Sequence, residues 1–447
     1  MAISAMANGK DSPRRRAEES LRLHARYRGK VQSLPKCPIR GLDDFAIWYT
    51  PGVAAPCLAI HDDPARVYDY TNKGNSVAIV SNGTRILGLG DIGPEAGLPV
   101  MEGKALLFKY LGGIDAVPLC LKANDPTAMV ETVVTLEPSF GGINLEDIAQ
   151  PACFSILDRL RPKLDIPVWH DDQQGSATVA LAGLLNALEV VGKRLTDIKL
   201  AMIGMGAANV ATYRLLKSSG IATEAVIACD SKGTLHNGRA DIEAAQDLYA
   251  EKWQVCRETN REGIVGGIAE ALRGADACIA FSQPGPGIIA PEWIRAMARD
   301  AIVFACANPV PEIWPQEAKA AGARIAATGR SDFPNQVNNS LGFPGIFRGA
   351  LDVRARTISD EMAFAAAREL ADAARSKLSE ESILPRMTDW RVPAQIAAAV
   401  GLQAQKQNLA QLKLSREALY NMAAAKIEAA RDATHALMRD GLISSEP

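Results

Sequence analysis

The sequence predicts an α/β protein with two sheet-containing domains, of which the second is doubly wound, followed by a helical tail. Three observations support this fold class. Short apolar runs of strand length alternate with longer helical patterns along most of the 447 residues. The segment 175–195 is apolar almost all round, which is typical of a helix buried between two lobes. Residues 403–441 are rich in Ala, Lys, Glu and Leu and favour one or two helices.

The first domain is predicted over residues 1–172. A helical pattern from about 12 to 31 is broken by Pro51 and Pro56. Strands are expected at "NSVAIVS" and "RILGLG", on either side of the turn 82–84, and at 114–120 and 165–170. The second domain, 173–402, contains further strand-like runs, and the tail is 403–447. These runs are "IKLAMIG", "EAVIACD", "DACIAF", "AIVFACANP" and "ARIAATG".

Composition narrows the class of function. With 48% hydrophobic and 22% charged residues the chain is typical of a globular protein. A formal net charge of -2 offers no basic field for nucleic acid or an anionic membrane surface, and no uninterrupted apolar stretch reaches membrane-spanning length. The eight cysteines include no C-x-x-C pair, and the first twenty residues lack the apolar block of a signal peptide. We therefore expect a cytoplasmic protein with small-molecule chemistry and an exposed N-terminal arm.

Two glycine-rich loops compete as a dinucleotide site. The string "GLGDIG" at 88–93 matches G-x-G-x-x-G, but Pro94 follows at once, so we expect no helix N-terminus behind it. The loop "GMGAAN" at 204–209 has Asn209 at the third glycine position, yet it lies between a strand and a helical run. An acid closes the next strand, at a distance suited to the ribose hydroxyls. The predicted cofactor residues are Gly204, Gly206, Ala207, Ala208 and Asp230.

Two acidic pairs lie at predicted strand ends. Glu146 and Asp147 lie within "GGINLEDIAQP", and Asp171 and Asp172 within "WHDDQQGSA". A buried carboxylate needs a basic side chain, backbone N–H donors or a metal ion as its partner. If the pairs converge, their oxygens suit Mg²⁺ or Mn²⁺. The alternatives are a helix cap at Asp172 and a solvated acidic turn at 146–147.

Two further residues have both a catalytic and a structural interpretation. Lys104, in "LPVMEGKALLFK", could have its pKa lowered by desolvation and serve as a base, or it could be a helix lysine that reaches solvent. Tyr49, in "WYTPGV", could equally be a half-buried aromatic before a proline turn.

Taken in order, several blocks resemble malic enzymes of the compact bacterial type. The resemblance runs from about Tyr49 to Asp352 and rests on the motifs "YTPGVA", "RILGLGDIGPEAGLPVMEGKALLFK", "FGGINLEDI", "IPVWHDDQQGSA", "GMGAAN", "FACANPVPEI" and "TGRSDFPNQVNNSLGFPGIFRGALD". It implies a malic-type N-terminal domain followed by a Rossmann-type NAD-binding domain. It also implies oxidative decarboxylation of L-malate to pyruvate and CO₂, with NAD (alternatively NADP), Mg²⁺ or Mn²⁺, and a homodimer or higher homo-oligomer.

The resemblance also implies roles for individual residues. The metal ligands are Glu146, Asp147 and Asp172. The catalytic residues are Tyr49 as general acid, Lys104 as general base and Asp171 as its support. The substrate-binding residues are Arg85, Asn308 and Asn339, and Asn308 also contacts the nicotinamide.

The sequence departs from the family pattern at four positions. Gln174, Ser176, Asn82 and Asn209 stand where His, Thr, Asp and Gly are usual. None removes a residue with a direct chemical role, so we expect activity, although Asn209 could alter cofactor binding. Asp230 favours NAD on electrostatic grounds, which Ser231 and Lys232 could soften. Malolactic conversion of malate to lactate with retained NAD, and a non-catalytic dinucleotide-binding regulatory protein, remain alternatives.

Overall fold

The computed structural model describes residues 13–444. Its strands are β1 Ser76–Ser81, β2 Asp115–Cys120, β3 Gly142–Leu145, β4 Val168–His170, β5 Leu200–Ile203, β6 Val226–Asp230, β7 Gly233–Thr234, β8 Ala277–Ala280, β9 Ile302–Ala305 and β10 Ile325–Thr328. The helices of the first half are α1 Pro13–Tyr27, α2 Leu42–Trp48, α3 Ala54–Asp62, α4 Val67–Tyr70, α5 Pro94–Gly112, α6 Pro126–Leu136, α7 Ala152–Leu160 and α8 Ser176–Val191. Those of the second half are α9 Ala207–Ser218, α10 Ala240–Glu243, α11 Ala250–Glu258, α12 Ile268–Leu272, α13 Pro291–Arg295, α14 Pro315–Ala320, α15 Phe343–Asp352, α16 Asp360–Ala374, α17 Arg391–Lys406 and α18 Arg416–Arg439.

Two separate sheets confirm the predicted α/β class. The first has the order β2-β1-β3-β4 and is parallel throughout. The second has the order β10-β9-β8-β5-β6-β7 and is parallel except for the short edge strand β7. Strands β1, β3, β5, β8, β9 and β10 are buried along their whole length, which explains their continuous apolar sequences, because helices cover both faces of a parallel sheet.

Helix α8 is the buried helix that its sequence predicts. Together with the preceding π-helical turn, Asp171–Gly175, it forms a run of 21 residues that is long and apolar enough to cross a membrane. However, 72% of the apolar window is buried within the structure, so this run is a core helix of the fold. The run includes Asp171, Asp172 and Glu189, so it differs from the uninterrupted apolar stretch that the sequence analysis considered.

The helices after the second sheet pack back onto the first domain. Phe347 of α15 contacts Phe108 of α5 with ring centroids 5.2 Å apart. Lys426 of α18 forms an ion pair of 2.6 Å with Asp352, the last residue of α15. The tail is thus helical, as predicted, and forms part of the first domain's packing. The domain limits 1–172, 173–402 and 403–447 stay predictions.

Two local expectations were wrong. The segment "RILGLG" is a loop that contributes only an isolated bridge between Ile86 and Gly90, because its glycines do not sustain a strand. The loop "GLGDIG" is followed by a helix after all, since α5 begins at Pro94. Proline suits the first helical position, where its missing N–H has no intrahelical partner to lose. The helical pattern expected from residue 12 appears as α1, whereas the start of the arm lies outside the described residues.

Candidate active site

A cleft of about 440 Å³ lies between the two sheets, at the carboxyl ends of their strands. Ligand sites of open α/β sheets occupy this position. From the first domain the lining includes Arg85, Lys104, Glu146, Asp147 and Asp172, and from the second it includes Gly206, Ala207, Ala208, Asn308 and Asn339. The fold therefore brings together most of the residues that the sequence singled out, from segments far apart in the chain.

Lys104 lies at the floor of this cleft. It projects from the middle of α5, it is less than a tenth exposed, and its Nζ lies 4.2 Å from the centre of the Phe343 ring. The ammonium donates to Oδ2 of Asp171 and lies 2.8 Å from Oε1 of Glu146. Burial opposes its charge, but these two carboxylates outweigh burial and raise the pKa of Lys104 above its usual value. The expectation that desolvation would lower this pKa was wrong for the arrangement seen here.

Asp171 is the most enclosed of the acids. It is fully buried in the π-helical turn after β4, where its Oδ1 accepts a hydrogen bond of 2.9 Å from the Trp169 indole. A Cβ at Gly175 would collide with Oδ1 of Asp171, so only glycine permits this packing. Burial raises the pKa of the Asp171 carboxyl, while Lys104 lowers it. Asp171 is therefore placed to orient the Lys104 nitrogen.

Asp147 and Asp172 are direct neighbours in the cleft. Oδ2 of Asp172 accepts from the backbone N–H of Asp147 at 2.8 Å, although these residues belong to different strand ends. Asp147 has a backbone φ of 52°, a left-handed conformation that is found disproportionately at functional sites. Burial and the Asp172 charge raise the pKa of Asp147 to about 8. Two acids that repel each other in this way require a cation nearby to be charged together.

The acids have the oxygen ligands that a divalent cation prefers, but their side chains are not arranged around a common point. The buried Oδ2 of Asp147 has no hydrogen-bond partner within residues 13–444, which leaves an oxygen free to act as a ligand. Yet no group of three His, Cys, Asp or Glu side chains in that part of the chain is gathered closely enough to hold a metal. Glu146 is engaged by Lys104 and by the Asn144 amide at 2.9 Å. Binding would therefore require Glu146 to exchange partners.

Several residues of the cleft escaped the sequence analysis. Asn338 lies beside Asn339 in the lining, and its amide donates to the Gly329 carbonyl at 3.0 Å. Ser282 lies opposite the glycine loop, where Glu312 accepts from both its N–H, at 2.8 Å, and its hydroxyl, at 2.9 Å. The second oxygen of Glu312 accepts from the Ala307 N–H at 3.1 Å. Glu312, fully buried in "ANPVPE", thus joins the two loops that follow β8 and β9.

The loop "GMGAAN" has the geometry of a dinucleotide loop. Gly204 has a φ of +85°, and a Cβ there would lie 2.6 Å from the Phe281 carbonyl oxygen, so glycine is required. Gly206 is the N-cap of α9, whose first residues line the cleft. Asn209 is fully buried, and its amide donates to the carbonyls of Ile203 at 3.1 Å and Gly204 at 3.0 Å. Its side chain therefore stabilises the loop from below.

Asp230 ends β6, as the sequence predicts, but it does not line the cleft. It forms a two-point ion pair with Arg239, at 3.1 and 3.2 Å, and Lys252 lies 3.6 Å away. Its charge is therefore neutralised by two cations.

Tyr49 is not in the cleft. It follows α2, and 72% of its surface is exposed. The chain before it is held by the ion pair of Lys36 with Asp115, 3.3 Å apart, at the amino-terminal end of β2. Tyr49 is not among the residues that line the cleft, so within one chain the structure separates it from Lys104.

The remaining departures from the family pattern have local explanations. Oδ1 of Asn82 accepts from the Thr84 hydroxyl at 2.7 Å and so closes the turn as an aspartate would. Oε1 of Gln174 accepts from the His170 N–H at 3.1 Å within the core. Ser176 lines the cleft.

Comparison with known protein families shows which family this chain belongs to. The "Malic enzyme, NAD binding domain" matches residues 173–405, and the "Malic enzyme, N-terminal domain" matches 28–128 and 122–161. The chain belongs to the malic enzyme family. Among its malic enzyme relatives, a bifunctional malic/malolactic enzyme of Bacillus subtilis is 48% identical over 90% of this chain and 96% of its own length. An NAD-dependent malic enzyme of Geobacillus stearothermophilus is 48% identical over 83% of this chain and 76% of its own.

An NADP-dependent malic enzyme of Escherichia coli is 43% identical over 86% of this chain and 51% of its own length. Solved malic enzyme structures agree. The structure from Entamoeba histolytica has a TM-score of 0.94 and 48% identity, over 97% of this chain and 90% of that chain. The structure from Pyrococcus horikoshii has a TM-score of 0.88 and 51% identity, over 94% and 98%. The two-domain malic enzyme fold inferred from the sequence is therefore confirmed.

Proposed function

We propose that this malic enzyme oxidatively decarboxylates L-malate to pyruvate and CO₂, with reduction of a nicotinamide dinucleotide. The observation that carries the proposal is the buried Lys104, held by two carboxylates at the floor of a cleft whose opposite wall is a dinucleotide loop. A base, an acidic cation site and a hydride acceptor within one cleft are what oxidation of a hydroxy acid requires.

In the first step Lys104 would accept the proton of the C2 hydroxyl as malate is oxidised to oxaloacetate. A nicotinamide cofactor held by the loop at 204–209 would supply the hydride acceptor for this oxidation. Lys104 must be uncharged to accept that proton. In the structure Asp171 and Glu146 stabilise the charged ammonium, so Lys104 must first give up a proton. The Asp171 carboxyl, whose pKa burial raises, accepts a hydrogen bond from Lys104 and is placed to take that proton. Arg85 binds a malate carboxylate at the mouth of the cleft, and Asn308 and Asn339 orient the substrate and the nicotinamide.

In the second step CO₂ leaves, and enolpyruvate must be protonated at C3. A divalent cation bound by Glu146, Asp147 and Asp172 would supply positive charge to the C2 oxygen in both steps. The backbone of Asp147 and the side chain of Asp172 already hold these two acids together. Tyr49 is the proposed proton donor to C3.

Because Tyr49 lies outside the cleft of its own chain, we propose that a second copy supplies it. None of the described residues of α2 and α3 is buried, and Leu42, Phe45, Ile47 and Trp48 are each more than half exposed. A second exposed apolar group, near the cleft, consists of Leu87, Leu89, Ile92, Leu98 and Leu106. Exposed patches of this kind mark protein interfaces. In a two-fold homodimer the α2–α3 segment of each chain would cover the other chain's patch and bring Tyr49 to its cleft.

Either nicotinamide cofactor is compatible with the second domain. Asp230 would repel a 2′-phosphate if it were a free carboxylate, but Arg239 and Lys252 neutralise it. Relatives of this chain include enzymes named NAD-dependent and NADP-dependent. All eight cysteines are free thiols, which fits the reducing cytoplasm that we propose as its location.

The test is to incubate the purified full-length protein with L-malate, Mn²⁺ and each oxidised cofactor, and to follow reduced cofactor, pyruvate and lactate. Reduced cofactor and pyruvate in equal amounts are expected. Lactate without net reduction would identify malolactic conversion, an activity that the name of the Bacillus subtilis relative includes. Absence of all three products under every condition would leave only the non-catalytic binding protein.

A further inference from the structure

A second cavity, of about 540 Å³, lies near the amino-terminal ends of strands β1 and β2, at the end of the first sheet that is opposite to the cleft. We call it the basal cavity. It lies between Asn75 just before β1, Lys109 near the end of α5, Asp352 at the end of α15, and Lys426 on α18. We propose that the basal cavity is a binding site for a small organic dianion, such as a phosphate monoester.

The lining is strongly basic. Four cationic side chains line the cavity, and Asp352 is the one acid among the described lining residues. The cations are Lys36, Lys109, Arg354 and Lys426. Lysine and arginine are the side chains that hold phosphate and carboxylate groups in proteins. Arg354 is paired with Asp69 at 2.7 Å, so the three lysines are the cations of the lining that favour an anion.

Part of this positive charge has no matching negative charge, because two carboxylates are each shared between two cationic side chains. Asp115 is the common partner of Lys36, at 3.3 Å, and Lys109, at 2.8 Å. Asp352 is likewise shared, by Lys426 at 2.6 Å and Arg348 at 2.7 Å. In each group one carboxylate faces two cations. Two positive charges thus lack a counter-charge, one on each side of the cavity, which matches a ligand with two negative charges.

Burial makes one of these charges costly. Arg348 is fully buried, and its Nε has no hydrogen-bond partner within the part of the chain that the structure describes. Burial, followed by the Arg348 charge, lowers the pKa of Lys426 despite the Asp352 carboxylate. A bound anion would relieve this repulsion, because it would add the counter-charge that the group lacks.

The rest of the lining suits the body of such a ligand. Thr71, Asn72 and Asn75 are polar lining residues whose side chains donate to the protein itself, and Leu412, Met422 and Ala429 form an apolar wall. The volume lies within the range of small-molecule sites. Because α5 carries Lys104 into the cleft and Lys109 into the basal cavity, a ligand here contacts a helix that also builds the active site.

The experiment measures the thermal midpoint of the full-length protein, without malate or metal, against inorganic phosphate at constant ionic strength. A parallel series with succinate separates phosphate from dicarboxylate recognition. The matched pair of variants is Lys109→Ala and Lys217→Ala, since both side chains are 44% exposed and lie 2.8 Å from a carboxylate, but only Lys109 lines the cavity.

We expect a saturable rise in the midpoint that Lys217→Ala retains. Lys109→Ala should raise the half-saturating concentration at least about fivefold, and Lys426→Met should act in the same direction. The proposal is overturned if neither anion gives a saturable response, or if the Lys109 and Lys217 variants respond alike, since the anion would then bind elsewhere. Because no turnover is measured, the outcome is independent of the proposed reaction.

Discussion

The Lys104 ammonium lies 2.8 Å from Oε1 of Glu146, and both side chains are less than a tenth exposed. One of these residues is the proposed base and the other a proposed metal ligand. In this structure the positively charged partner of the buried Glu146 carboxylate is therefore Lys104. Cation binding and the state of the base are therefore coupled through a single carboxylate.

Lys104→Ala should lower kcat by about 10²–10⁴-fold, because it removes the group that accepts the hydroxyl proton. Cofactor affinity should change little, since the dinucleotide loop belongs to the other domain. Steady-state kinetics and titration of reduced cofactor by fluorescence measure the two quantities. The control is Lys122→Ala, whose side chain is 80% exposed. A parallel loss of turnover and cofactor affinity would show that Lys104 has been misassigned.

Mixing two inactive variants tests whether Tyr49 acts across the dimer. Tyr49→Phe and Lys104→Ala homodimers should each be nearly inactive. If Tyr49 completes the neighbouring chain's site, each mixed dimer has one intact site, so random reassociation should restore about a quarter of wild-type activity. If Tyr49 acts within its own chain, both sites of the mixed dimer stay defective and no activity returns. Co-expression followed by a malate assay measures the result, and analytical ultracentrifugation establishes the oligomeric state.

Asp147→Asn should have opposite effects with and without metal. Without metal the Asp147 carboxyl, with a pKa of about 8, carries a charge that Asp172 repels only above about pH 8, so the thermal midpoint of the variant should exceed that of the wild type above this pH. With Mn²⁺ it removes a ligand, so the Mn²⁺ concentration for half-saturation, measured by electron paramagnetic resonance, should rise at least about tenfold. Asp172→Asn should weaken Mn²⁺ binding likewise. Unchanged Mn²⁺ affinity in both variants would exclude these acids from the metal site.

Arg239→Ala should shift the cofactor preference toward NAD. It removes the two-point ion pair of Asp230 and leaves only Lys252, 3.6 Å away, so the carboxylate would repel a 2′-phosphate more strongly while it could still accept from a ribose hydroxyl. We expect the ratio of kcat/KM for NADP to that for NAD to fall roughly tenfold, about 1.4 kcal/mol. Steady-state assays with both cofactors give the ratio. An unchanged ratio would mean that Asp230 does not face the adenosine ribose.

Glu312→Gln should loosen the loops that follow β8 and β9. The amide would present a donor to an N–H that now has a carboxylate oxygen, so we expect about 1–3 kcal/mol of lost stability in urea unfolding. The KM for the cofactor should also rise, because Ser282 lines the cleft. Glu317→Gln is the matched control, since exposed Glu317 also accepts from a backbone N–H but lies outside the cleft. Equal effects of the two substitutions would contradict the positioning role.

The sequence by itself determined the elements and the inventory of the site. Buried parallel strands read as continuous apolar runs, and the acids, Lys104 and the loop at 204–209 are local patterns at strand ends, so both could be predicted without coordinates. The wrong predictions about local structure are those at "RILGLG" and Pro94, where a glycine-rich run and a proline admit more than one backbone conformation.

Only the tertiary structure decided how these groups affect one another. The pKa of Lys104 depends on Asp171 and Glu146, which lie on other strand ends, and the Asp230 charge depends on Arg239. The separation of Tyr49 from the cleft depends on the path of the chain that contains α2 and α3. The physical reason is that charge interactions and burial are properties of distances through space, which a linear order of residues does not contain.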